Sequence, residues 1–112
     1  EVAKRAARAT ATLRIERPSV SVTFDDFLST AATTGVSVLE AAGVRGTFYA
    51  NGGTIGGQGE LGPVASIAQL RAVRDRGHEI GCHTFSHPDL FQLREEEIGE
   101  ELDRNAAWLQ RV

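Results

Sequence analysis

The sequence predicts an α/β fold built on a parallel sheet, and three observations carry that expectation. Short β-rich runs alternate with amphipathic helical segments along the chain. Glycine stands where two of those helices should end, at Gly43 and Gly77. Two polar clusters, Asp25-Asp26 and His83 with His87, follow directly after β-rich runs, and parallel sheets collect ligands at the C-terminal ends of their strands.

Taken in order, Glu1 to Ala9 is an Ala- and Arg-rich arm, and Ala11, Leu13 and Ile15 alternate as a short edge strand would. Pro18 then breaks the chain. Ser19 to Phe24 places Val20, Val22 and Phe24 on one face and predicts a strand. Val36, Leu39 and Ala42 recur at helical spacing within Leu28 to Ala42, closed by Gly43. Gly46 to Ala50 predicts a second strand, and Asn51 to Gly62 a loop dense in glycine. Ser66 and Gln69 have the spacing of a capping box, opening a helix that ends at Gly77. His78 to Cys82 predicts the third strand. Pro88 disfavours helix at His87, so His83 to Pro88 reads as a turn or loop. Glu95 to Val112 carries Ile98, Leu102, Ala106 and Leu109 on one expected inward face, with acids early and Arg104 and Arg111 late.

With 112 residues the chain has the length of one domain. A composition of 41% hydrophobic and 24% charged residues excludes a disordered or low-complexity chain. No apolar run approaches the roughly 20 residues of a membrane span. The net charge of −3 argues against a nucleic-acid partner, which would require a concentrated basic face. Cys82 is the single cysteine, so no intrachain disulfide forms, and it is expected to behave as a small core residue. The chain lacks methionine and begins at Glu1, as an excerpt or a processed product would.

Two histidines three residues apart across a turn can aim two imidazole nitrogens at one cation, and a carboxylate from another strand end would complete a facial set. Such a set suits zinc or non-haem iron and leaves positions open for water and substrate. The bland alternative places His83 and His87 on the surface with no joint role. Adjacent Asp25 and Asp26 at a crowded strand end repel unless a cation or hydrogen bonds compensate, although a helix N-cap or solvated turn is the other use of such residues. Neighbouring strand residues point oppositely, so one aspartate can hold a metal while the other faces water as a general base. His78 reads as a packed structural residue. The glycine-rich loop lacks the ending of a phosphate loop.

Thr23-Phe24-Asp25-Asp26 and His83-Thr84-Phe85-Ser86-His87-Pro88-Asp89-Leu90 resemble the first two motifs of the polysaccharide deacetylases, the NodB-homology or carbohydrate esterase family 4 enzymes. Gly46-Thr47-Phe48-Tyr49 and Gly77-His78-Glu79-Ile80-Gly81 resemble the family's intervening strands. The resemblance implies a distorted (β/α) barrel, partly covered by this chain. Residues 1–18 would form an N-terminal arm and short strand, and residues 19–112 the N-terminal half of the domain. It further implies a carbohydrate substrate and hydrolytic removal of acetyl groups from N-acetylated sugars, with metal-bound water as nucleophile. By position, Asp25 would be the general base, and Asp26, His83 and His87 would hold Zn2+, or another divalent metal such as Co2+ or Ni2+. A non-catalytic metal- or carbohydrate-binding module is the alternative.

The chain departs from that pattern in two respects. Phe27 stands where the family has glycine and is expected to fill space near the groove. The family's later motifs, a base-orienting arginine, an acidic and aromatic groove wall and an acid histidine, do not follow. The open sheet edge would then be covered by self-association or by a further C-terminal half.

Overall fold

The structure, a computed structural model, describes residues 12, 14 and 16–112. The arm Glu1 to Ala9 and the strand expected at Ala11, Leu13 and Ile15 lie outside the described residues. The element order is β1 (Thr23–Phe24), a π-helical turn (Ala31–Gly35), α1 (Val36–Ala41), β2 (Thr47–Ala50), β3 (Gln58–Gly59), β4 (Gly62–Pro63), α2 (Ile67–Asp75), β5 (Glu79–Cys82), a 3-10 turn (Leu90–Gln92) and α3 (Glu95–Leu109).

Strands β1, β2 and β5 form a parallel sheet in that spatial order. The predicted fold class therefore holds at the level of an α/β sheet. The described residues leave this sheet open and do not close it into a barrel. Strand β1 is much shorter than Ser19 to Phe24. Its ladder pairs only Thr23 with Thr47 and Phe24 with Phe48, and β2 does not extend back to meet the preceding residues. Val20 consequently stays 92% exposed.

Phe48 on the central strand organises the core. Its ring stacks on Phe24 at 4.8 Å, meets Phe27 edge-on at 5.6 Å and meets His78 edge-on at 5.4 Å. Val36 and Leu39 from α1 and Leu70 and Val73 from α2 close around these rings. Both helices end as the sequence predicts. Gly43 at φ 71° and Gly77 at φ 85° take the left-handed conformation, and each cap returns two backbone bonds to the preceding turn. The capping box at Ser66 and Gln69 forms in both directions and starts α2.

Two expectations are corrected. The glycine-dense loop contains a small antiparallel hairpin, β3 with β4, and Leu28 bridges to Val64 beside it. In α3 the face turned to the sheet is not Ile98, Leu102, Ala106 and Leu109. Leu102 and Ala106 are exposed, whereas Asn105 is fully buried and Trp108 packs against the core. The reason is hydrogen bonding. Asn105 Oδ1 accepts from Gly52 N at 2.8 Å and its Nδ2 donates to Ala50 O at 2.9 Å. These backbone groups at the end of β2 would otherwise be buried without partners, a penalty of about 1–3 kcal/mol each. No helix among the described residues is long and apolar enough to cross a membrane.

Candidate metal centre

The C-terminal ends of β1 and β5 carry the two motifs. Directly after β1 the chain turns through Asp26 at φ 60° and Phe27 at φ 44°. Two consecutive left-handed residues other than glycine are uncommon and cost of order 1–2 kcal/mol each. The turn separates its side chains into two environments. Asp26 projects to the surface, and Phe27 is driven completely into the core against Phe48. Phe27 thus does not fill the groove, contrary to expectation. It anchors the aspartate turn from below, and Ala65 N donates to its carbonyl at 2.9 Å.

Strand β5 delivers His83, and the arm to His87 reverses through Thr84 at φ 63° and His87 at φ 56°. The structure brings Asp26, His83 and His87 together. Their donor atoms all lie within 4.8 Å of one another. Asp26 Oδ1 is 3.3 Å from His83 Nε2 and 3.3 Å from His87 Nε2. Charge-assisted N–H···O bonds run about 2.7–2.9 Å, so both separations are long for direct pairing. They match the edge of about 3.3 Å of a tetrahedron with centre-to-ligand distances of about 2.0–2.1 Å. Two nitrogens each at that spacing from one carboxylate oxygen, and all three atoms within 4.8 Å of one another, could hold a divalent cation.

Asp25 is exposed at the same strand end and stands outside this three-residue cluster. A groove enclosing about 420 Å³, part of it open solvent, runs from Asp26 and His87 past Asn51 and Thr54 to the β3–β4 hairpin at Gly59, Glu60 and Leu61. His78 lies at the opposite end of β5, buried, with Nδ1 accepting from Gly46 N at 3.1 Å. It plays no part in the cluster, as its strand position implies. Cys82 is exposed and not a core residue; its sulfur receives Asn105 Nδ2 at 3.1 Å.

The residues that hold the histidine arm were not identified from sequence. Asn51, 2% exposed, donates through Nδ2 to the carbonyls of His83 and Thr84. Glu101 of α3 accepts from Phe85 N at 2.9 Å, from Ser86 N at 2.7 Å and from Ser86 Oγ at 2.9 Å. These donors hold the Glu101 carboxyl below the usual carboxylate range, Ser86 N foremost, against an opposing push from desolvation. Gly52 allows the close approach of both helix and arm: a Cβ there would meet Trp108 at 2.6 Å and Phe85 at 2.8 Å. The available signal was the four-residue spacing of Glu101 and Asn105, a polar stripe beside the apolar one.

Comparison with known proteins gives a consistent picture. The polysaccharide deacetylase family model matches residues 13–112. Over 86 residues the chain is 34% identical to the peptidoglycan-N-acetylmuramic acid deacetylase PdaA of Bacillus subtilis, covering 76% of this chain and 30% of that one. It is 34% identical to a chitooligosaccharide deacetylase of a Bradyrhizobium strain over 75% of this chain and 35% of that one. The chitin deacetylase of Colletotrichum lindemuthianum is 32% identical over 66% of this chain and 29% of its own length. Its solved structure superposes with a TM-score of 0.57 at 28% identity, covering 75% of this chain and 36% of that chain. The chain spans about a third, or less, of the length of these relatives.

Proposed function

This chain belongs to the polysaccharide deacetylase family, and on that premise we propose that it carries the metal-binding part of a hydrolase acting on N-acetylated sugars. The sheet would be one portion of a distorted (β/α) barrel, with residues 19–112 contributing the strand ends that hold the site. The observation that carries the reading is the convergence of Asp26, His83 and His87, from two separate strand ends, on one point.

The division of labour follows from position. Asp26, His83 and His87 would hold the cation, Zn2+ or a similar divalent ion such as Co2+ or Ni2+. A cation bound there supplies Lewis-acid activation of water and of the acetamide carbonyl. Asp25, exposed beside the cluster, is the general base that takes a proton from the attacking water. Water adds to the acetyl carbonyl, the C–N bond breaks, acetate leaves and the sugar amine takes up a proton. His78 is no source of that proton, since it is buried at the far end of β5. The relatives named above are deacetylases of peptidoglycan N-acetylmuramic acid, of chitin and of chitooligosaccharide, and the groove lined by Asp26, Asn51 and the β3–β4 hairpin is where a sugar would lie.

The test is acetate release from chitin oligomers and from peptidoglycan fragments, with metal content measured in parallel. Asp25→Asn is expected to abolish release while retaining the metal, and His87→Ala to lose both. An active Asp25→Asn variant would contradict the assignment of the base. Metal bound in the wild type without acetate release from either substrate would favour a binding module instead.

A further inference from the structure

The arm from His83 to Ser86 is tied at almost every backbone group. His83 N donates to Ala50 O at 3.2 Å, the carbonyls of His83 and Thr84 accept from Asn51, and Phe85 O accepts from Gly53 N at 2.9 Å. Two further amides, Phe85 N and Ser86 N, point at a single oxygen of Glu101, and the other oxygen takes the Ser86 hydroxyl. Successive backbone N–H groups in a turn form a small anion-binding concavity. Here its anion is a side chain of the same chain, contributed by a helix fifteen residues further on. Arg104, one helical position group away, lies 3.8 Å from the centre of the Phe85 ring and braces the same arm.

This matters because the arm is a strained element. Thr84 and His87 both sit in the left-handed region, and a β-branched residue there is a genuine outlier. Such a conformation persists only where the surroundings over-determine it. Released, the arm would relax, and His87 would leave its position 3.3 Å from Asp26.

Resting on the metal-site reading above, we infer that Glu101 is the positioning residue of the metal centre. It touches neither His83 nor His87. It fixes two of the four peptide units between them, and so helps to set the distance from one imidazole to the other. Helix α3, through Glu101 and Asn105, is then the element that keeps the second motif in register with the first.

The experiment titrates Zn2+ into the purified 112-residue chain, with Co2+ absorption as a readout of coordination geometry and the emission of Trp108 as a readout of folding. The variants are Glu101→Ala, Glu101→Gln and, as a control at the other end of the sheet, Glu40→Gln. Glu101→Ala is expected to bind Zn2+ about 10-fold or more weakly, the range typical of residues that orient metal ligands, and to alter the Co2+ spectrum. Glu101→Gln retains one acceptor for the two amides and should fall between Glu101→Ala and wild type. Glu40→Gln should bind as wild type does. Should Glu101→Ala fail to fold, the Glu101→Gln variant decides the matter. A folded Glu101→Ala or Glu101→Gln chain with wild-type affinity and spectrum would overturn the inference. A folded wild type without Zn2+ affinity would instead overturn the metal-site reading, and the inference with it.

Discussion

At the N-terminal end of the sheet Glu40 faces the buried Nε2 of His78 at 3.4 Å and also accepts from Nε and Nη2 of Arg76. At the C-terminal end Asp26 faces two imidazoles at 3.3 Å each, and no lysine or arginine among the described residues pairs with it. The first carboxylate already has its cation. The second, on the reading proposed above, is arranged around a place for one. The backbones differ in the same sense. Away from the site the left-handed positions that end α1 and α2 are glycines, Gly43 and Gly77, whereas at the site they are Asp26, Phe27, Thr84 and His87. Among the described residues the positive-φ positions that are not glycine all lie at the site end, in the segments that carry Asp26, His83 and His87.

The sharpest way to break this comparison is to remove each carboxylate in turn. Asp26→Ala should weaken Zn2+ binding by more than the roughly 10–100-fold typical of supporting residues, because it deletes a proposed ligand. Glu40→Ala should leave Zn2+ affinity unchanged and lower the unfolding midpoint of the metal-free chain. Calorimetric titration and thermal melts of both variants check this. Equal effects on affinity would erase the distinction between the two ends.

Next in size is the anchor beneath the aspartate turn. Phe27→Ala removes a fully buried ring and should destabilise the chain by about 3–5 kcal/mol. Phe27→Gly deletes the same ring but accepts φ 44° without strain, so it should be less damaging than alanine by about 1 kcal/mol. Urea unfolding measures the order. Alanine more stable than glycine would show that the turn carries no strain at this position.

A smaller and symmetrical test exchanges glycine between the ends. Gly77→Ala forces a Cβ onto φ 85° and should cost about 1 kcal/mol. Thr84→Gly relieves φ 63° and should be neutral or stabilising by up to about 1 kcal/mol, while loosening Zn2+ binding. A strongly destabilised Thr84→Gly would place the strain elsewhere.

The smallest effect is acid sensitivity. The amides of Ser86 and Phe85 hold the Glu101 carboxyl below its ordinary value of 4.5. A depressed folded value means that the contribution is fully present above about pH 4.5 and is lost as pH falls through the lower folded value. The urea midpoint of the wild type should therefore drop below pH 4.5, and that of Glu101→Gln should drop less. Parallel curves would detach Glu101 from the acid response.

Much of this was legible in the sequence because local signals and tertiary needs agree there. Ser66 and Gln69 announce α2, Gly77 ends it, and the strand-terminal Asp25-Asp26 and His83–His87 segments fall at the sheet end expected of a ligand site. What was not legible depends on partners. Residues 19–22 have β-forming side chains, yet a strand exists only as far as β2 offers a ladder. Leu102 and Ala106 of the apolar stripe of α3 are exposed because the backbone of Ala50 and Gly52 requires Asn105 inward, a demand that no periodicity records. Phe27 reads from sequence as a groove residue, and only the left-handed turn at Asp26 reveals that its side chain enters the core. Glu101 is one acid among several in an acidic helix until the amides of Phe85 and Ser86 single it out.

The central claim is that two strand ends converge to hold one divalent cation. Its most direct test is elemental analysis of the purified chain after equilibration with Zn2+ and exhaustive dialysis, alongside the His83→Ala/His87→Ala double variant. The account predicts about one zinc per wild-type chain and none in the variant, with both folded by the emission of Trp108. A folded wild type without zinc, or a double variant that retains it, would contradict the account.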